Sequence, residues 1–324
     1  MKKSTRYSRQ ETLGIIGKSG QKKIEKAKVT IVGTGALGTV AAELLVRAGV
    51  LNLTLVDRDF IEESNLQRQF LYDENDIGKL KAETLKNKLV KINSKVKLKA
   101  INVHLNSKNI KSTIKKPEIL LDCTDNMKTR LLINDYCKKN KIEWIYAAAV
   151  RYSGNVSLIS PKGPCLNCFL PNNALGGTCM EKGVLNTTTT IIAGIQVNLT
   201  LKKITKNKVN SNQLIRYNGL NNEITILKFE KRKNCKVCNG QYEYLNEKIK
   251  KTTQFCSSNK FQILGKKHNF EKLKIMLKKA NIDYNSDNIT LQFGPIILFL
   301  DGRAIVNAKS IDEAESLYSK YIGN

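Results

Sequence analysis

Along the first half of the chain, short apolar runs alternate with stretches whose apolar positions recur at helical spacing. Val29–Val32, Leu51–Val56, Val96–Val103, Ile119–Asp122 and Trp144–Ala149 read as strands. Between them Ala41–Ala48, Lys79–Lys91 and Lys128–Lys138 read as helices. Runs that are apolar throughout suit strands covered on both faces, and strands separated by helices suit parallel pairing. The pattern therefore predicts an α/β fold with a doubly wound, mostly parallel sheet. Residues 1–27 read as helical ahead of it. Beyond Asn155 the periodicity is harder to follow until a threonine run at 187–190 enters a helix reaching Thr200.

Near residue 245 the pattern changes. From Thr253 it reads strand (Phe261–Leu264), helix (Phe270–Ala280), strand (Ile289–Phe293), hairpin, and helix (Ile311–Tyr321). Asp301-Gly302 between Ile296–Leu300 and Ala304–Val306 is the signal of a tight two-residue turn. The expectation is two domains, 1–245 and a small α+β domain over 253–324.

Composition narrows this picture. The 324 residues are 41% hydrophobic and 26% charged, values of a soluble globular protein with room for one large or two ordinary domains. The polar, basic stretch Met1–Gln10 reads as no secretory signal, and no run approaches the roughly 18 apolar residues of a membrane span. Eight cysteines without an export signal point to thiolate or metal chemistry in a cytoplasmic protein rather than to a disulfide scaffold. The formal charge of +27 comes from lysines spread along the whole chain, as in Lys202–Asn212, so it reads first as a compositional habit. Its functional reading is attraction for an acidic protein partner; with no basic-aromatic motif, nucleic acid is the weaker expectation.

Gly33-Thr34-Gly35-Ala36-Leu37-Gly38 lies where the first strand ends and a helix begins. Glycine lets such a turn approach a phosphate and lets helix and strand pack closely, while the helix N-terminus offers free N–H groups. Asp57, at the end of the next strand, is placed to accept hydrogen bonds from ribose hydroxyls. The fold expected is thus Rossmann-like and nucleotide-binding. Ser64-Asn65-Leu66-Gln67-Arg68-Gln69, then Lys81, then Asp122-Cys123-Thr124-Asp125-Asn126 follow. Two cations and a strand-end carboxylate suit ATP with Mg2+ better than a bare pyrophosphate.

The ordered set Arg6-Tyr7-Ser8-Arg9-Gln10, the glycine turn, Asp57-Arg58-Asp59, Ser64–Gln69, Gly78-Lys79-Leu80-Lys81 and Asp122–Asn126 resembles the ThiF/MoeB/HesA family, minimal relatives of ubiquitin-activating enzymes. The resemblance runs from about residue 6 to 240. It implies that Asp57 holds the ribose, and that Ser64, Asn65 and Lys81 contact the nucleotide, with Asn126 beside them. It further implies that Arg9 reaches the phosphates, that Asp125 binds Mg2+ or its water shell, and that Arg68 reaches the site of a neighbouring subunit in a homodimer. Ala36 stands where the family usually has glycine. The implied activity is adenylation of the C-terminal glycine carboxylate of a ubiquitin-like sulfur-carrier protein ending in Gly-Gly, of the MoaD or ThiS type, for molybdopterin, thiamin or tRNA thiolation and with protein conjugation as a further use. Such a carboxylate is already ionised at neutral pH, so its attack needs cations rather than a general base, in keeping with a chain that has only two histidines.

Cys165-Leu166-Asn167-Cys168 and Cys235-Lys236-Val237-Cys238 are two pairs that together can hold a structural Zn2+ through four sulfurs, with a redox pair as the rival use. Cys179, in Gly176-Gly177-Thr178-Cys179, matches a position that in relatives receives the activated carrier covalently. Cys123 reads as packing. Two other enzyme classes share the nucleotide turn. An ATP-dependent tRNA-modification dehydratase generally lacks the cysteine pairs, and a NAD-dependent oxidoreductase does not carry the motifs after Asp57. A non-catalytic scaffold would not need Arg9, Arg68, Lys81 and Asp125 intact.

Overall fold

The computed structural model describes residues 6–170, 183–246, 252–254, 259–287, 290–300 and 302–323. The chain divides into two compact units, Met1–Glu247 and Lys248–Asn324.

The first unit opens with the short helix α1 (Ser8–Glu11) and α2 (Gly17–Lys26). It continues through β1 (Lys28–Val32), α3 (Ala36–Ala48), β2 (Asn52–Asp57), α4 (Lys81–Ile92), β3 (Lys97–Asn102), α5 (Ile110–Thr113), β4 (Ile119–Asp122), α6 (Met127–Asn140) and β5 (Glu143–Val150). Then come β6 (Ser153–Ile159), α7 (Leu166–Phe169), α8 (Asn186–Ile204), β7 (Gln213–Asn218) and β8 (Glu223–Lys228). The eight strands form one sheet in the order β3-β2-β1-β4-β5-β6-β7-β8, parallel through β5 and antiparallel beyond it. The mostly parallel sheet is as expected. Missing from the sequence reading were β6, β7 and β8: β8 is exposed along its whole length, so its residues carry no burial pattern to read.

Strand β4 (Ile-Leu-Leu-Asp) is buried at every position, the sign of a sheet covered on both faces. One face carries the core built on Leu45, Leu53, Leu55, Leu85 and Ile192, and the other the core built on Leu120, Ile133, Tyr136 and Trp144. α3 ends at Gly49 in the left-handed region at φ 100°, the usual place for a glycine after a helix. Asn126 caps α6, its side chain accepting from the Thr129 N–H at 2.8 Å.

The second unit is an antiparallel sheet with two helices. β9 (Thr252–Gln254), β10 (Lys260–Leu264), α9 (Phe270–Lys279), β11 (Tyr284–Ser286), β12 (Thr290–Phe293), β13 (Ile296–Phe299), β14 (Arg303–Asn307) and α10 (Ile311–Ile322) follow in order. The sheet order is β11-β12-β13-β14-β10-β9. β13 and β14 pair antiparallel as the hairpin signal predicts, but residues 300–302 separate them, three rather than the expected two, with Gly302 at φ 92°. Gly294-Pro295 makes a two-residue connection between Phe293 and Ile296. Phe261, Ile263, Leu291, Phe293 and Leu298 of the sheet bury against Leu273 and Tyr318 of the helices.

A buried ion pair holds the seam of the first unit. Asp122 is fully buried at the end of β4, with Arg130 Nε 3.5 Å from its Oδ2 and the Thr124 N–H and hydroxyl donating to its Oδ1 at 3.0 and 2.7 Å. Burial pushes the Asp122 carboxyl above its ordinary range, against the pull of Arg130. Removing one partner strands a buried charge, so Arg130→Ala should cost about 3–5 kcal/mol of stability in a urea titration. A loss below about 1 kcal/mol would show the pair to behave as a solvated surface one.

Candidate functional site

Gly33, with φ 91°, turns the chain out of β1, and its N–H donates to Val56 O at 2.8 Å. A Cβ on Gly33 would lie 2.5 Å from the Cys123 carbonyl oxygen, and one on Gly38 would lie 2.0 Å from Gly33 O. These two glycines are demanded by the protein's own backbone. Gly35 is different: its Cβ would meet only the Gln69 amide, at 3.6 Å. The turn is thus open on that side, and α3 starts there with no side chain capping its first N–H groups. Unpaired N–H groups with a helix dipole behind them form a phosphate cradle. Ala36 is the first residue of α3, where its methyl group is accommodated.

Asp57 ends β2 and is bolted to the turn. Its Oδ2 accepts from the Thr34 N–H at 2.6 Å and the Thr34 hydroxyl at 2.9 Å, and its Oδ1 accepts from the Asp59 N–H at 2.9 Å. A carboxylate has about four acceptor positions, so little of this one is left for a ligand, but that remainder is rigidly aimed. Asp59 was quoted in the motif yet not picked as a site residue. Its Oδ1 is shut from solvent without a hydrogen-bond partner, and Arg58 Nε lies 3.4 Å away. Burial, then the charge of Asp57, pushes its carboxyl up to about 6; Lys81 and Arg58 oppose this and Asp125 adds to it. Asp57, Asp59, Asp125 and Lys81 therefore form one electrostatic cluster at the carboxyl ends of β2 and β4.

The Ser64–Gln69 segment folds over the turn of its own chain. Asn65 is buried and its Oδ1 accepts from the Glu62 N–H at 3.3 Å, closing a 3-10 turn. Gln69 is buried with its amide against Gly35, Ser64 is exposed, and Arg68, half-buried, donates from Nη1 to Ser64 O at 2.8 Å. The Lys81 side chain is buried at the start of α4, and among the described residues nothing forms an ion pair with its ammonium. The Tyr72 hydroxyl lies 2.9 Å from Thr34 O and 3.0 Å from Lys81 O, sharing its proton between them and tying α4 to the glycine turn. No sequence signal marked Tyr72, since its role depends on two carbonyls that only the fold brings together. Asp125 is exposed just past the Asp122–Arg130 pair, and Asn126 follows it. Cys123 is buried, and its thiol lies 3.3 Å from Gln196 Oε1, in keeping with packing.

Arg9 is not brought to this cluster in its own chain. The Gln10 amide donates to Ala48 O at 2.9 Å, and the Asn93 amide donates to the Tyr7 hydroxyl at 3.1 Å. α1 is thereby fixed at the far end of α3, whose 13 residues separate it from the glycine turn by about 20 Å.

The four cysteines converge. Cys165 Sγ lies 3.9 Å from Cys168 Sγ and 3.5 Å from Cys235 Sγ, and Cys168 Sγ lies 3.6 Å from Cys238 Sγ. All four sulfurs are within 4.8 Å of one another. A tetrahedron with metal–sulfur bonds of about 2.3 Å has sulfurs about 3.8 Å apart, so the set fits one Zn2+-sized ion with no position left open. A hydrogen bond from Cys165 holds the Cys168 thiol down to about 4, and the same contact drives Cys165 upward. The two knuckles are seated on α6. Asn134 Oδ1 accepts from the Leu166 N–H at 2.9 Å, and Asp135 Oδ2 accepts from the Tyr244 N–H at 2.9 Å. Cys179 lies outside the described residues, as does Cys256.

A glycine turn opening a helix, a bolted strand-end acid and a cluster of four converging sulfurs define a Rossmann-like nucleotide-binding protein. Comparison with known proteins narrows the class. The model of the ThiF family matches residues 7–237, and the chain belongs to that family. The sulfur carrier protein ThiS adenylyltransferase of Bacillus subtilis (strain 168) is 35% identical over 334 residues, 98% of this chain and 99% of that protein. The adenylyltransferase and sulfurtransferase MOCS3 of Aedes aegypti is 34% identical over 78% of this chain, which spans only 59% of MOCS3. Among solved structures, that of E. coli MccB with ATP is 25% identical with a TM-score of 0.64, over 72% of this chain and 75% of that one. Among the described residues no helix is long and apolar enough to cross a membrane.

Proposed function

We propose that this chain is a cytoplasmic adenylyltransferase that transfers the adenylyl group of ATP to the C-terminal carboxylate of a small ubiquitin-like sulfur carrier ending in Gly-Gly, releasing pyrophosphate. The observation that carries this reading is the cluster at one sheet edge: uncapped N–H groups of α3, the bolted Asp57, the buried Lys81, and Asp59 beside Asp125. The ThiS type of carrier is favoured over the MoaD type because the ThiS adenylyltransferase relative aligns with nearly the whole chain.

In this reading the α3 N-terminus and Lys81 hold the phosphates, Asp57 takes a ribose hydroxyl, and Ser64, Asn65 and Asn126 line the nucleotide. Asp125 and the orphaned Oδ1 of Asp59 would hold Mg2+, which when bound supplies positive charge to the phosphate oxygens. The carrier's carboxylate oxygen attacks the α-phosphorus, the bond to the bridging oxygen breaks, and pyrophosphate departs with the electron pair. No proton has to be removed, so the protein's contribution is positioning and charge. Arg68, on a segment folded over its own turn, serves its own site. Arg9, held at the far end of α3, serves the site of a second copy in a homodimer, a revision of which arginine crosses. Cys165, Cys168, Cys235 and Cys238 would hold a structural Zn2+ that pins both knuckles to α6, and Cys179 would receive the activated carrier after adenylation.

Asp125→Ala should abolish carrier-dependent ATP–pyrophosphate exchange while Cys179→Ala leaves it largely intact; retained exchange in the Asp125 variant would remove the metal assignment. Mixing inactive Arg9→Ala and Asp125→Ala chains under exchange conditions should restore about a quarter of wild-type activity, since half the dimers regain one intact site. No recovery would place Arg9 in its own chain's site. Elemental analysis should find about one zinc per chain, lost in Cys165→Ala together with thermal stability; an active, stable protein without metal would sink the four-sulfur claim.

A further inference from the structure

At the opposite ends of the same strands, the sheet breaks its own rule. A parallel sheet is apolar on both faces because both are covered. The rows Val32–Val56–Ile101 obey this, facing the core beside β4 and α6. The next row toward the strand starts is Thr30–Thr54–Lys99, and the one after it Lys28–Asn52–Lys97, each set by the β1–β2–β3 register. These two rows floor a cleft of about 320 Å³ whose side wall is Thr113 and Lys115, at the exit of α5.

Two features mark the cleft as built for a ligand. Thr30 is only 4% exposed and Thr113 only 8%, yet neither hydroxyl makes a hydrogen bond to a described residue. Both hydroxyls open on the cleft, where a ligand oxygen can take their protons in place of water. Second, Lys28, Lys97, Lys99 and Lys115 ring the cleft, and no acidic residue lines it. None of the four forms an ion pair among the described residues, as is common in a chain with 55 Lys and Arg against 28 Asp and Glu; what sets these four apart is that they converge on one cleft. Four uncompensated ammonium groups around hydroxyl and amide donors make a site for a compact multivalent anion.

We propose that this cleft binds a small polyphosphate-bearing molecule, at a site separate from the nucleotide turn. The lysines neutralise the phosphates while Thr30, Thr54, Thr113 and Asn52 can donate hydrogen bonds to their oxygens. The cleft lies at the amino ends of β1 and β2, and the glycine turn and Asp57 lie at their carboxyl ends. An occupant of one therefore does not displace an occupant of the other. The volume is at the low end for ligand pockets, which suits a short polyphosphate and leaves no room for a folded polymer.

The test is titration calorimetry with inorganic tripolyphosphate, on protein alone and on protein holding the β,γ-imido analogue of ATP with Mg2+. One tripolyphosphate per chain should bind in the presence of the analogue. Lys97→Gln with Lys99→Gln should weaken that binding about tenfold or more while leaving analogue affinity unchanged. Thr30→Val, which keeps shape and charge, should weaken it about threefold, because a hydrogen bond is lost. An unchanged affinity in Thr30→Val would show diffuse attraction to surface lysines and overturn the site. So would competition between tripolyphosphate and the analogue, or binding of a long RNA with none of tripolyphosphate.

Discussion

The whole site rests on how closely the glycine turn lies against the exit of β4. The Gly33 backbone sits so near the Cys123 carbonyl that a single added carbon would be at 2.5 Å, and Gly38 is pressed onto Gly33 more tightly still. Protein interiors are close-packed and do not yield by half an ångström without cost. That contact sets three things at once: where α3 starts, where β4 delivers Asp125, and how Asp57 meets Thr34. The Asp122–Arg130 pair and the Gln196 amide, which donates to Asp122 O at 2.9 Å and to Ile145 O at 3.0 Å, hold the other side of the seam. Asp122 Oδ2 and Arg130 Nε make no hydrogen bond and face each other only as an ion pair, so it is their opposite charges that make their burial tolerable.

Electrostatics divides the molecule along its strands. At the carboxyl ends, carboxylates gather around Lys81, and burial together with the charge of Asp57 raises the Asp59 pKa. At the amino ends, lysines gather without carboxylates. The same strands thus separate a carboxylate-rich end from a lysine-rich one.

The four-sulfur cluster does a different task. Its two knuckles are 70 residues apart in the chain, and it draws the segment after β8 back onto α6, the helix whose N-cap follows Asp125. Long closures of this kind cost chain entropy, which a metal ion held by the four sulfurs would offset.

The sequence by itself determined the elements that local chemistry dictates. The apolar runs of β1, β2, β4 and β5 have only one comfortable environment. A glycine turn between strand and helix is unambiguous, and Gly302 announces its hairpin. Two cysteine pairs, each with two residues between its members, likewise marked a candidate metal site with a redox pair as the rival. Tertiary structure decided what depends on distance. β8 is exposed throughout, so no pattern betrayed it, and only its pairing with β7 makes it a strand. The Tyr72 hydroxyl acquires a role because Thr34 and Lys81 end up on either side of it. Arg9 reads as a ligand of its own chain's site until α1 is seen at the far end of α3. The lysines of the amino edge look like composition until strand register lines them up. Side-chain identity is local, but proximity is a property of the packed chain, and no residue carries it alone.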